Sequence, residues 1–412
     1  MEDSPRTRML VMKRKKQLIV FLYALILLAC SKEESPLPAE GEEARTVGFS
    51  VSADEMVTRA DAALLATGTI PAGKSFGVYA YYHDDSRWEE AAEPNFMFNQ
   101  QVTKDATEDL YTYSPLKYWP NEEDDKLSFI GYYPYTPYPV AAPYDAEAAQ
   151  PTTGIKPQLA NTGAGLSAYR FRVKDDVAEQ VDFMVSDLEK DLPVSRSLDE
   201  NPGLPFNNLR VTDKVPLFFR HMTSKIEVSI VVDEDIRTDF YHYTIHSIQL
   251  ENVLSEGVLT PTYDMTEGKT EFAWSDHSRR QTFNPVIFPT YNTADNATID
   301  VSVATPAITS EAYLLLPQVL GDDVRMTLSY DLMLKSQTTG KVYTYDNDGN
   351  LVEVDPAHYT YGNHSVSVQL NTLDLKEWEY NHCYTYLIRL GAHRIEFNAE
   401  VVGWGEYHWQ PL

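Results

Sequence analysis

Cysteine is nearly missing from this chain: there are two in 412 residues, Cys30 and Cys383. At most one disulfide is available, so stability must come from an apolar core, which a chain this long can bury. Basic residues are scarce as well, 34 Lys and Arg against 61 Asp and Glu, for a net charge of −27. Such a surface repels phosphate backbones and makes nucleic acid a poor partner. The common signatures of catalysis are missing too: no HExxH, GxSxG, phosphate-cradling glycine loop or paired CxxC occurs. His83, Asp84, Asp85 and Ser86 have the letters of a triad but are contiguous in a loop. His242 and His246 stand four apart with no third ligand evident. Asp346, Asp348 and Asn350 echo a calcium loop whose glycine and final glutamate are misplaced. No catalytic residue, metal or cofactor is expected, and the enzyme class is set aside. Beyond residue 29 there is no convincing helical periodicity.

Long apolar runs are equally scarce. The one present, Leu18 to Ala29, follows Lys13, Arg14, Lys15 and Lys16. It is short for a membrane span, which takes about 20 residues, and suits a secretion signal. It ends in Leu27-Leu28-Ala29-Cys30, which resembles the lipobox of bacterial lipoproteins. That resemblance implies cleavage before Cys30 and its lipidation, with palmitate among the acyl chains, and several chains anchor far more firmly than one. Ser31-Lys32-Glu33-Glu34 resembles the acidic tag that sends lipoproteins of the Bacteroidota to the outer face of the outer membrane. Residues 1–29 are therefore expected to be a signal peptide, and the acidic, Pro-bearing residues 30–45 a solvated tether. Loss of residues 1–29 removes six basic and two acidic side chains, leaving 28 against 59.

What the chain has in quantity is tyrosine, 27 residues, and short alternating runs between Gly and Pro. These predict an all-β protein. In VGFSV, Val47, Phe49 and Val51 share one face. Further strands are expected at 74–82, 94–102, 109–119, 126–135 and 180–187. NEEDD (121–125) reads as a hairpin tip and Thr136 to Ala168 as an irregular surface passage. A second set begins near Val215, with Ile226, Val228, Ile230 and Val232 on one face. Its clearest member alternates Val324, Met326, Leu328, Tyr330, Leu332 and Leu334 with polar residues. Runs at 364–370, 383–390 and 394–404 complete the set, and DNDGN (346–350) turns a hairpin. Composition near 188–214 suggests a boundary, giving β-sandwich domains over 46–214 and 215–412.

The lipobox, the block YSPLKYWPNEEDDKLSFIGYYPY, the runs VDFMVSD and PLFFRHMTSKIEVSI, and the closing HCYTYLIRL and IEFNAEVVGW together resemble the fimbrillin family of the Bacteroidales. The resemblance implies two transthyretin-like β-sandwiches, lipoprotein export, and assembly into a surface fimbria (a pilus) that serves cell adhesion. It also implies that a trypsin-like protease cuts after an arginine, releasing an N-terminal segment and opening a groove for a strand of the next subunit. The expected partners are thus other fimbrial subunits and, through the lipid, the outer membrane.

Physical chemistry fits a removable strand. Burying Val47, Phe49 and Val51 stabilises by roughly 5–9 kcal/mol, whereas ordering five backbone residues costs on the order of 5–10 kcal/mol. The pairing is near balance and is held by tethering. Arg45 precedes the strand and Arg59 follows it; a cut at Arg59 releases the whole element, and the reading that neither is cut stays open. The donor candidate is the C-terminal run with Ile395, Phe397, Ala399 and Val401 on one face, which is alternatively the last strand of its own domain. A different function remains open: a monomeric surface lipoprotein that binds glycans or host proteins through Tyr-rich loops, with Tyr132, Tyr133, Tyr135, Tyr138 and Trp119 as the platform.

Overall fold

The computed structural model describes residues 46–53, 69–137, 151–193, 214–232, 241–284, 299–300, 308–309, 312–354 and 364–403, apart from a few positions within these spans. The described chain is all-β, as the alternating runs predict. It begins with β1 (Gly48–Ala53), β2 (Ser75–His83), β3 (Met97–Lys104), β4 (Tyr111–Thr112) and β5 (Lys126–Tyr133). Next come β6 (Ile155–Pro157), β7 (Tyr169–Arg172), β8 (Met184–Ser186), β9 (Glu189–Pro193) and β10 (Lys214–His221). Then follow β11 (Ser224–Val232), β12 (Tyr241–Asp264), β13 (Lys269–Phe283), β14 (Ile299–Asp300), β15 (Ile308–Thr309), β16 (Tyr313–Leu315) and β17 (Gln318–Val319). The remaining strands are β18 (Arg325–Lys335), β19 (Val342–Tyr345), β20 (Leu351–Val354), β21 (His364–Gln369), β22 (Glu377–Trp378), β23 (His382–Leu390) and β24 (Ile395–Gly403). No described helix is long and apolar enough to cross a membrane.

The first sheet runs β1-β10-β8-β5-β2-β3-β4, with β9 also on β5. Its two middle strands, β2 and β5, are buried along both faces. Alternation explains why. Phe76, Val78, Ala80, Leu127 and Phe129 enter one core, shared with Val47, Phe49, Val215, Leu217 and Phe219. Tyr79, Tyr81, Ile130 and Tyr132 enter a second core on the other side. Gly77 on β2 lets Tyr132 lie across the strand, since a Cβ there would stand 2.2 Å from the ring.

The second core is closed by two more sheets. One runs β15-β11-β23-β24; the other runs β20-β19-β18-β12-β7-β6, with β13, β14 and β21 attached. Ile226, Val228 and Ile230 of β11 and Tyr384, Tyr386 and Ile388 of β23 share this core with Ile245, Ile248, Met326 and Leu328. Inward-facing alternate residues of two layers make the sandwich. The strands that flank DNDGN, β19 and β20, pair antiparallel up to Tyr345 opposite Leu351.

Several expectations change. Within the passage from Thr136 to Ala168, residues 155–157 form β6, which is buried and paired to β7; Ile155 supplies core surface that three short residues gave no period to reveal. In the run 109–119 only Tyr111 and Thr112 form a strand; Pro115 soon follows and has no N–H to offer a ladder. NEEDD is not a hairpin tip, since β4 pairs with β3 and β5 with β2, β8 and β9. Instead Asp125 is buried and accepts the Tyr82 hydroxyl at 2.8 Å. β12 and β13 form a long hairpin, whose register shifts twice. β10 joins the first sheet, and β7 pairs with β12. Glu256 of β12 reinforces that second junction, binding Arg170 at 2.9 Å and the Nε of Arg172 at 2.6 Å.

Candidate functional site

The site is the place that β1 occupies. β1 pairs in parallel with β10, from Gly48 opposite Lys214 to Ala53 opposite Phe219. It lies at the end of the sheet order, so along Gly48–Ala53 its ladder has one partner strand among the described residues. Just before it, the two ends of the curled sheet touch. Thr46 bridges Tyr118, and the Val47 N–H donates to the Lys117 carbonyl at 2.9 Å. The Tyr113 hydroxyl donates to the Val47 carbonyl at 2.7 Å. Burial pushes that phenol up to about 12, so it stays a donor throughout the physiological range.

Inside, Val47 and Phe49 are each only 1% exposed. The Phe49 ring meets Phe76, Tyr113 and Phe129 edge-on, at centroid distances of 5.9, 5.8 and 6.0 Å. That geometry suits aromatic quadrupoles. Val51 and Ala53 are only partly covered. The deepest anchors of the first strand are thus Val47 and Phe49. Its neighbour β10 has anchors of its own: Phe219, Arg220 and His221 pair with β8, His221 Nδ1 lies 2.8 Å from Asp182 in the interior, and Arg220 donates to Asp187 at 2.9 Å. These contacts hold the C-terminal end of β10, whereas Lys214 to Leu217 are laddered to β1 alone among the described residues.

The other end of the proposed exchange, β24, is also an edge strand. It pairs antiparallel with β23 from Leu390 opposite Ile395 to His382 opposite Gly403. Ile395, Phe397 and Ala399 pack half-buried against the second core, and Val401 is 42% exposed. Cys30, Arg45 and Arg59 lie outside the described residues.

Other candidates resolve by position. Tyr132 and Tyr133 are core residues, one in each core. Tyr135 and Trp119 are half-buried, and Tyr138 lies outside the described residues. Tyr132 and Tyr133 thus build the interior. His246 is exposed at an irregularity in the β12–β18 register, and no group of three metal-ligating side chains occurs among the described residues. His83 is buried, and that burial lowers its pKa, whereas Asp84 and Ser86 are exposed. What sequence reasoning missed is the groove wall. Tyr113, Lys117 and Tyr118 close the seam, and β10 forms the floor. The alternation Val215, Leu217, Phe219 was a visible signal for the latter.

Residues 58–404 match the model of a family described as fimbrillin-like. The chain belongs to that family. This fimbrillin-like chain is accordingly a fimbrial or adhesive subunit of the cell surface. Its fold is similar to that of a fimbrial protein from Bacteroides vulgatus, with 20% identity and a TM-score of 0.57 over 87% of this chain and 99% of that one. A tip fimbrial protein, Mfa3 from Porphyromonas gingivalis with a C-terminal truncation, aligns at 10% identity and a TM-score of 0.33, over 81% of this chain and 95% of that one. A search of the curated proteins finds no match. β1 precedes the span that the fimbrillin-like model covers, which begins one residue before Arg59.

Proposed function

We propose that this fimbrillin-like chain is exported as an outer-membrane lipoprotein, lipidated on Cys30, and polymerises into a fimbria by exchanging strands. A cut after Arg59 frees β1, and the C-terminal strand β24 of another subunit enters the vacated groove. One observation carries the reading: an edge strand, laddered to a single neighbour, holds Val47 and Phe49 at full burial in an aromatic core. Besides its ladder to β10 and the two hydrogen bonds at Val47, such a strand is attached by its own anchors and its tether. Once cut it dissociates and leaves unpaired ladder groups beside β10, together with an apolar trough. Open edges of this kind take up added strands.

Arg59 serves better than Arg45 because it follows the strand, so its cleavage detaches the whole plug. The lipid keeps the uncut subunit at the membrane until that moment. Limited trypsin digestion of soluble protein tests the reading. Ladders that resist mild SDS should appear after cleavage and vanish when residues 394–412 are deleted. Digested protein that stays monomeric contradicts it. The N-terminal residue of the protein taken from cells gives a second check, with Ala60 marking a processed subunit and Cys30 an unprocessed one.

A further inference from the structure

We propose that β20 is a lateral docking edge for β20 of a second copy of this chain, the two strands antiparallel about a two-fold axis at Val352. β20 ends its sheet, with β19 as its one partner strand among the described residues. Leu351 is 52% exposed and Val352 36% exposed. A lone exposed apolar residue is ordinary, but two in succession on an open ladder are a template for a further strand. Other open edges are guarded. β6 carries Lys156 and Pro157, β9 carries Lys190 and Pro193, and β24 carries Glu396 and Glu400. β13 is bent by left-handed backbone at Asp276 and Arg279, and the exposed residues of β21 are Ser365 and Ser367. β20 has no proline, lysine or bend.

The edge complements itself. Its one charge, Glu353, is met inside the hairpin by Lys341 at 2.7 Å, so two copies do not bring bare carboxylates together. Centred on Val352, antiparallel pairing sets Val352 against its own equivalent and Leu351 against the second copy's Glu353, twice over, as a two-fold contact requires. Centred on Glu353 it would set two glutamates face to face, which is unfavourable. The edge is also preformed. The Ser336 N–H donates to the Lys341 carbonyl and the Gly340 N–H to the Ser336 carbonyl, both at 2.8 Å, closing the turn that leads into β19. β19 joins β18 at Met333–Lys335, beside the start of β12, whereas β7 joins β12 at Glu256–Leu259. The edge thus stands apart from β1 and β24. Four residues per copy fall well short of the roughly 20–30 per side of a stable interface, so a single contact is weak. Subunits repeated along a filament multiply it and bind filaments side by side; this last step alone rests on the fimbrial reading above.

The test uses the full, uncut chain carrying Cys30→Ser, so it needs no strand exchange; Cys383 is buried. Val352→Cys, Leu351→Cys and Glu353→Cys are each oxidised mildly at equal, high concentration. Val319→Cys, at a position 71% exposed in another sheet, measures chance collision. Disulfide dimers of Val352→Cys should form at least about tenfold faster than those of the other three, because the axis brings only that side chain within about 5 Å of its equivalent. A mixture of Leu351→Cys with Glu353→Cys should crosslink several times faster than either alone. Adding Val352→Asp to both members sets two carboxylates face to face and should slow that mixed crosslink about tenfold. Equal rates at all four positions overturn self-pairing. Fastest crosslinking of Leu351→Cys or Glu353→Cys alone overturns the register, and indifference to Val352→Asp overturns the pairing of this edge. Trypsin-dependent ladders are scored separately, so lateral pairing and strand exchange fail independently.

Discussion

β1 and β24 are both short edge strands with four alternating anchors, yet they are seated differently. β1 is a plug: its first two anchors are fully buried between aromatic rings, with Tyr113 and Lys117 binding the backbone at its entry. β24 is a cover: its anchors are half-exposed, though it is paired to β23 along its whole length. A plug leaves a cavity when it goes, and a cover leaves only a wetter surface. Under the proposed strand exchange, the first loss would call for a replacement strand and the second would be easily borne.

The largest expected effect lies in the plug. Phe49→Ala in the uncut chain should destabilise it by about 3–5 kcal/mol, the cost of a large cavity. Phe397→Ala should cost roughly half as much or less, because its ring is only partly covered. Denaturant titration measures both, and equal values would erase the distinction between plug and cover.

A smaller effect is expected at the entry to the groove. Tyr113→Phe removes one hydrogen bond to Val47 and should cost about 0.5–1.5 kcal/mol. Amide exchange should quicken in β1 and stay unchanged in β24; quickening in both strands would mean that the seam supports the whole molecule.

The smallest concerns pH and separates the sheets. Glu189 on β9 lies in the β1 sheet, opposite Phe129. Burial, with Asp187 nearby, pushes its carboxyl up to about 7 from an ordinary 4.5. A raised acid is held protonated by the folded state. Its contribution is therefore full below about 4.5 and is lost as pH rises through about 7. Glu189→Gln should flatten that part of the stability profile between pH 5 and 7.5. An unchanged slope would show that the carboxyl is better hydrated than its surroundings suggest.

Much of the fold was legible where side chains alternate without interruption. The series Val324, Met326, Leu328 needed nothing beyond period two, and the antiparallel pair β19–β20 nothing beyond the turn residues between them. The β12–β13 hairpin was hidden because its register slips near Val253 and Val258, which breaks the alternation. The tyrosines are ambiguous in sequence for a different reason. Tyr132 looks like surface because of its hydroxyl, but Asn99 and the Thr136 carbonyl satisfy that group in the interior. Of the site, the plug itself was readable from Val47, Phe49 and Val51. The alternation Val215, Leu217 and Phe219 marked β10 as a strand, but its pairing with β1 was not readable, because it lies some 160 residues further along and a parallel pairing leaves no local trace.

The most direct test is to cut the purified chain at Arg59 and follow β1 and the remaining body together, by mass spectrometry and circular dichroism. The account predicts that the fragment bearing β1 departs while the body keeps its β signal and joins into SDS-resistant ladders. A body that unfolds on cleavage, or that keeps the fragment bound and stays monomeric, would contradict it.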